Sequence, residues 1–109
     1  MKMTDEVIIT DKDTGLIAAI TCEIDHYSAK RIRERVDPAL FRYRPKVLVL
    51  DFSEVRFMDS SGIGLIIGRR EVAAALGIEV RLKGLSDRLL KLIRLSGLEK
   101  ISGILVEKR

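Results

Sequence analysis

The sequence holds a single cysteine and a single histidine, and much catalytic chemistry falls away with that scarcity. With Cys22 alone, no intramolecular disulfide can form and no cysteine-based zinc cluster can be built. With His26 alone, a serine nucleophile has at most one imidazole to act as its base. That imidazole follows Asp25 where a helix begins, and a partly exposed helix-start residue is its ordinary role. No paired-carboxylate spacing stands out among the acidic residues. The chain is therefore read as a non-enzyme, with no catalytic residue, no metal and no cofactor assigned.

Long apolar runs are missing too. Nothing approaches the roughly 20 apolar residues of a membrane span, and "MKMTDEVIIT" lacks the apolar core of a secretory signal. A reducing, cytoplasmic setting is the expectation. Charge of one sign is not concentrated anywhere: 20 basic residues are interleaved with 16 acidic ones, for a net charge of +4. Such a surface reads as mixed and solvated, without a nucleic-acid footprint. The basic side of the last helical stretch, Arg88, Lys91 and Arg94, is by the same logic a solvated face and not a membrane-surface element.

What is present is a globular composition, 47% hydrophobic and 33% charged over 109 residues. A chain of this size forms one domain and buries roughly 60–70% of its unfolded surface. No repeat or linker divides it. Val7–Thr10 and Leu16–Thr21 are short apolar runs joined by "DKDTG", a hairpin pattern. From "EIDHYSAKRIRERVDPALFRYRP" onward the period changes. Ala29, Ile32, Val36 and Leu40 recur at three or four residues, which predicts an amphipathic helix. Pro38 interrupts it, so either a kink near Asp37 or a restart with Asp37 as cap is expected.

"KVLVLDFS" reads as a central strand, apolar on both faces. A second helix is expected from about Ser61 to Leu76, stopped by Gly77, and "IEVRLKG" alternates as a strand. Ser86 should cap a third helix, with Leu89, Leu92, Ile93 and Ser96 inward and Gly97 as its stop. "ISGILVE" closes the series as a last strand. The order β-β-α-β-α-β-α-β predicts an α/β domain: a mixed, mostly parallel sheet of four or five strands with helices packed on it.

The segment "RFMDSSGIGLIIGRR" offers the motifs. Gly62, Gly64 and Gly68 are spaced one residue too widely for a dinucleotide fingerprint, and no G-K-[ST] is present for a P-loop. The glycines read instead as close-packing positions. D-S-S-G is not the G-x-S-x-G elbow of a hydrolase. Of the two serines, one suffices to cap the helix. The other would stand exposed at the strand-to-helix joint beside Asp59. An exposed helix-start hydroxyl is a good phosphoacceptor, since the helix N-terminus tolerates the added charge while a docked acidic partner would not.

The stretches "TCEIDHYSAKRI", "VLVLDFSEVRFMDSSGIGLIIGRR" and "RLLKLIRLSGLEKI" together resemble the STAS domain of bacterial anti-sigma factor antagonists, most closely the sporulation sigma-F branch. The resemblance covers nearly the whole chain. It implies the STAS fold, with helices largely on one side of the sheet. It also implies a partner, an anti-sigma factor that is a serine kinase: the unphosphorylated antagonist binds it and frees the sigma factor, and a phosphatase resets the switch.

Carried over by position, Ser60 is the phosphoacceptor, which leaves Ser61 as the helix cap. Asp25, Asp59, Ser61, Gly62, Gly64 and Arg69 belong to the partner-binding surface, and the free protein is a monomer without nucleic-acid or membrane partners. A STAS scaffold or transport-accessory module, with Ser60 only a cap, is the alternative. Two features depart from the family pattern. Cys22 stands where glycine is frequent, and the chain ends soon after "ILVEKR", where many relatives add a helix.

Overall fold

A computed structural model describes residues 6–107. The elements follow the alternation of the sequence: β1 (Val7–Lys12), β2 (Gly15–Ile20), α1 (His26–Tyr43), β3 (Val47–Asp51), α2 (Ser60–Ala75), β4 (Glu79–Lys83), α3 (Asp87–Ser96), a 3-10 turn (Leu98–Lys100) and β5 (Ile104–Val106). The five strands lie side by side in chain order. β1 and β2 form an antiparallel hairpin, with Val7 opposite Ile20 and Lys12 opposite Gly15. Every later pairing is parallel. Gly15 is required at the hairpin exit, because its φ is +143° and a Cβ there would stand 2.7 Å from the carbonyl oxygen of Val47.

Because strand order equals chain order, each crossover steps in the same direction. Crossovers of one hand then place all three helices on one face. The burial pattern agrees. Leu16, Ala18, Ile20, Leu48, Leu50, Val80 and Leu82 are fully enclosed beneath the helices, whereas Ile8 and Leu105 on the opposite face are about half exposed. The expectation that β3 is buried on both faces is corrected: Leu48 and Leu50 are buried, but Val47 and Val49 are only half-buried. With every helix on one side, the other side of the sheet has no cover among the described residues.

Pro38 neither ends α1 nor restarts it. The helix runs unbroken from His26 to Tyr43 with Pro38 inside, and Asp37 does not cap a new segment. Pro38 itself is exposed, while Val36, Ala39 and Leu40 around it are buried. Packing of that face holds the turn together across the missing backbone hydrogen bond.

The other helix ends match their local chemistry. The Ser86 hydroxyl accepts the N–H of Leu89 at 3.2 Å, and Gly77 and Gly97 both take left-handed backbone after their helices. Ser96 departs from expectation, since it is exposed and not on the inner face of α3. Its hydroxyl instead donates to the carbonyl of Ile93 at 2.6 Å and accepts the N–H of Leu98 at 3.2 Å. It shapes the turn that follows the helix.

Candidate functional site

Two helix starts meet at one corner of the domain. The loops leading into α1 and α2 are joined by an isolated parallel bridge between Ile24 and Met58. Ile24 donates its N–H to the carbonyl of Phe57 at 3.1 Å, and Asp59 donates to the carbonyl of Ile24 at 3.2 Å. Ile24 and Met58 are both buried. Each is followed directly by an aspartate, so the bridge sets Asp25 and Asp59 at neighbouring helix N-termini.

Both aspartates cap. Asp25 accepts the N–H groups of Tyr27 at 3.0 Å and Ser28 at 2.9 Å. Ser28 answers by accepting the N–H of Asp25 at 3.0 Å, completing a reciprocal capping box. The Ser28 backbone N–H is also the main reason the Asp25 carboxyl sits below its ordinary pKa. At α2, Asp59 accepts the N–H of Ser61 at 2.7 Å. This corrects the assignment of Ser61 as cap. The helix starts at Ser60, and the carboxylate one residue earlier takes the capping position, where the helix dipole favours an anion.

The consequence falls on the serines. Ser60 is exposed at the first position of α2, and among the described residues its hydroxyl makes no hydrogen bond. Ser61 uses only its backbone N–H. Gly62, by contrast, is buried tightly: a Cβ there would approach the Met58 sulfur to 2.5 Å and the Met58 Cβ to 3.1 Å. Residue 62 must therefore be small for α2 to start against the bridge. Gly64 is exposed and a Cβ on it would meet nothing within 4 Å.

Arg69, on the same helix, is not presented to solvent. Its side chain is 5% exposed and its Nε stands 2.7 Å from Oδ1 of Asp37 on α1. Nη2 donates to Oδ2 of Asp37 at 3.2 Å, and Nη1 reaches the carbonyl of Leu65 at 3.4 Å. The Nε–Oδ1 approach is close but lacks the in-line geometry of a hydrogen bond. Burial pulls the Arg69 pKa down, and Asp37 opposes that pull. Arg69 thus ties α2 to α1 and also lines the groove between them.

Between α1 and α2 lies a groove of about 270 Å³ that starts beside Ser61 and runs over Gly64 and Gly68. Among the described residues no group of histidine, cysteine, aspartate and glutamate is arranged to hold a metal, and no helix is long and apolar enough to cross a membrane. Cys22 is half-buried, with burial as the main cause that pushes its thiol pKa up. A raised thiol pKa disfavours the thiolate, which is the nucleophilic form.

A sheet of five strands with this order, and two capped helix starts stitched by one bridge, can be compared with known proteins. The STAS domain family model matches residues 6–107. The chain belongs to the STAS family. Curated relatives of this STAS domain include an anti-sigma-B factor antagonist of Listeria monocytogenes, 37% identical over 103 residues, covering 91% of this chain and 87% of the relative. An anti-sigma F factor antagonist of Paenibacillus polymyxa is 34% identical over 89 residues, covering 82% and 76%. Among solved structures, the anti-sigma factor antagonist SpoIIAA in its unphosphorylated form shares the fold, with a TM-score of 0.71 at 22% identity, over 94% of this chain and 88% of that one.

Several residues that matter here were not singled out from the sequence. Ser28 carries a local signal, the D-x-x-S spacing after Asp25, which fits a capping box with serine in place of the usual glutamate. Lys30 and Arg33 stand three apart on one helix face. Asp37 and Arg69 are each named from the sequence, but their pairing across 32 positions leaves no local trace.

Proposed function

We propose that this STAS domain is an anti-sigma factor antagonist switched by phosphorylation of Ser60. In its unmodified form it binds an anti-sigma factor that is a serine kinase, and so releases the sigma factor. The kinase transfers the γ-phosphoryl group of ATP to the Ser60 hydroxyl, whose proton is lost, and a phosphatase hydrolyses the ester to restore the free form. The domain acts in the cytoplasm as a monomer when unbound, and the chemistry is done by its partners.

The observation that carries this reading is the freedom of the Ser60 hydroxyl. Asp59 has taken the capping role, so Ser60 is exposed at the helix start and can be modified without breaking a structural hydrogen bond. A phosphate there adds about −1.5 to −2 charges directly after Asp59, at the helix start that the Ile24–Met58 bridge joins to the Asp25 loop. The helix dipole tolerates the group. A partner packed on the same corner, around Asp25, Asp59, Ser61, Gly62 and Gly64, meets like-charge repulsion and a desolvation cost.

The test is direct. With the cognate kinase and ATP, intact-mass spectrometry should show one phosphate on the wild type and none on Ser60→Ala. A phosphate retained by Ser60→Ala, or none on the wild type, would overturn the assignment.

A further inference from the structure

The groove between α1 and α2 carries charge that the domain itself does not use. Lys30 and Arg33 form one wall with His26, while Ser61, Gly64 and Gly68 form the floor and the other wall. Lys30 and Arg33 are exposed, and among the described residues neither has a carboxylate partner, unlike Arg31, Arg81 and Arg94. No carboxylate lines the groove, and Arg69, which does line it, is already paired with Asp37. The floor is open as well. A Cβ added at Gly64 or Gly68 would meet nothing within 4 Å, so the fold itself does not require glycine there. Glycine inside a helix weakens it, and here it leaves room for another chain to approach the α2 backbone.

We propose that this groove receives an acidic segment of the anti-sigma partner, whose carboxylates meet Lys30 and Arg33 while its backbone lies over Gly64 and Gly68. The identity of the partner rests on the reading above; the chemistry of the groove does not. The groove begins beside Ser61, so it extends the docking corner along the α1–α2 seam. One end of the partner's footprint is then acidic on this domain, at Asp25 and Asp59, and the other end is basic. That opposition of charge fixes the direction in which the partner lies across Ser60.

Two measurements test it. First, hexaglutamate titrated at low salt into the isotopically labelled chain should shift the amides of Ser61, Gly64, Gly68 and residues 30–33. The double variant Lys30→Glu with Arg33→Glu should suppress those shifts. Shifts that are absent, or unchanged in the variant, overturn the groove assignment.

Second, the same variant should bind the kinase about tenfold more weakly and with a flatter salt dependence. Gly68→Leu fills open space and should weaken binding while leaving thermal stability intact. Wild-type kinase affinity in both variants overturns the groove while leaving the phospho-switch standing. A wild-type chain that the kinase neither binds nor phosphorylates overturns the switch, and the hexaglutamate shifts then decide the groove on their own.

Discussion

The two helix starts that meet at the Ile24–Met58 bridge are built alike and end up opposite in character. Each places a buried apolar residue before an aspartate, and each aspartate caps a helix. At α1 the serine stands at the third helical position, where it closes the reciprocal box and also donates to the carbonyl of Glu23 at 2.8 Å. It is 5% exposed and fully spent. At α2 the serine stands at the first position, where the cap does not reach its hydroxyl. Position relative to the cap decides whether a helix-start hydroxyl is structure or surface. Two residues of offset separate a locked serine from an exposed one.

The largest effect should come from cutting the tie that holds the two helices in register. Asp37→Ala leaves the Arg69 guanidinium buried without its counter-charge. It should lower stability by about 2–3 kcal/mol in denaturant melts, toward the lower end for a buried pair because Asp37 is partly solvated. Adding Arg69→Met to that variant should recover much of the loss, since the uncompensated charge is then gone. No recovery would mean that the pair matters through shape and not through charge.

Next in size is the contrast between the serines themselves. Ser28→Ala should cost about 1–2 kcal/mol, because it strips the box and removes the partner of the Asp25 N–H and of the Glu23 carbonyl. Ser60→Ala should change stability by less than about 0.5 kcal/mol, while removing the proposed phosphate site. Equal losses at the two positions would show that the Ser60 hydroxyl is not free.

The smallest effect concerns the caps and pH. The Asp25 carboxyl is held below its ordinary value of 3.8 in the folded chain. Its contribution is therefore present above that value and is lost as pH falls through the lower, folded one. The gap in melting temperature between wild type and Asp25→Asn should hold steady from neutral pH to about pH 5 and narrow below pH 4. A gap that stays constant down to pH 2 would assign the cap to geometry alone.

Much of this was legible in the sequence. The strand–helix alternation, the hairpin at "DKDTG", the Ser86 cap and the Gly77 and Gly97 stops are all local signals, and the structure carries each of them. Misreadings arose where a tertiary contact outweighed a local rule. Pro38 reads as an interruption, yet the packing of Val36, Ala39 and Leu40 carries α1 through it. Ser61 reads as a cap, yet Asp59, an equally good capper two residues earlier, takes the position just before α2 starts. Val47 and Val49 read as buried, yet the cover they would need lies on the far side of the sheet.

The candidate site divides in the same way. Ser60, Asp25 and Asp59 stand on motifs that a reader of the sequence can find. The bridge between Ile24 and Met58, the buried Asp37–Arg69 pair and the groove bordered by Lys30 and Arg33 depend on α1 and α2 lying side by side. That placement follows from two crossovers of the same hand, and no short window of sequence contains it.

Strand order has a consequence for how the domain comes into being. Every strand pairs with the one made just before it, and each parallel pair is closed over a single helix. A chain emerging from the ribosome can therefore lay down its sheet from one edge to the other, with no strand waiting for a partner still to be synthesised. Such sequential pairing keeps contact order low for a parallel sheet, and with it the time during which unpaired edges are open to aggregation.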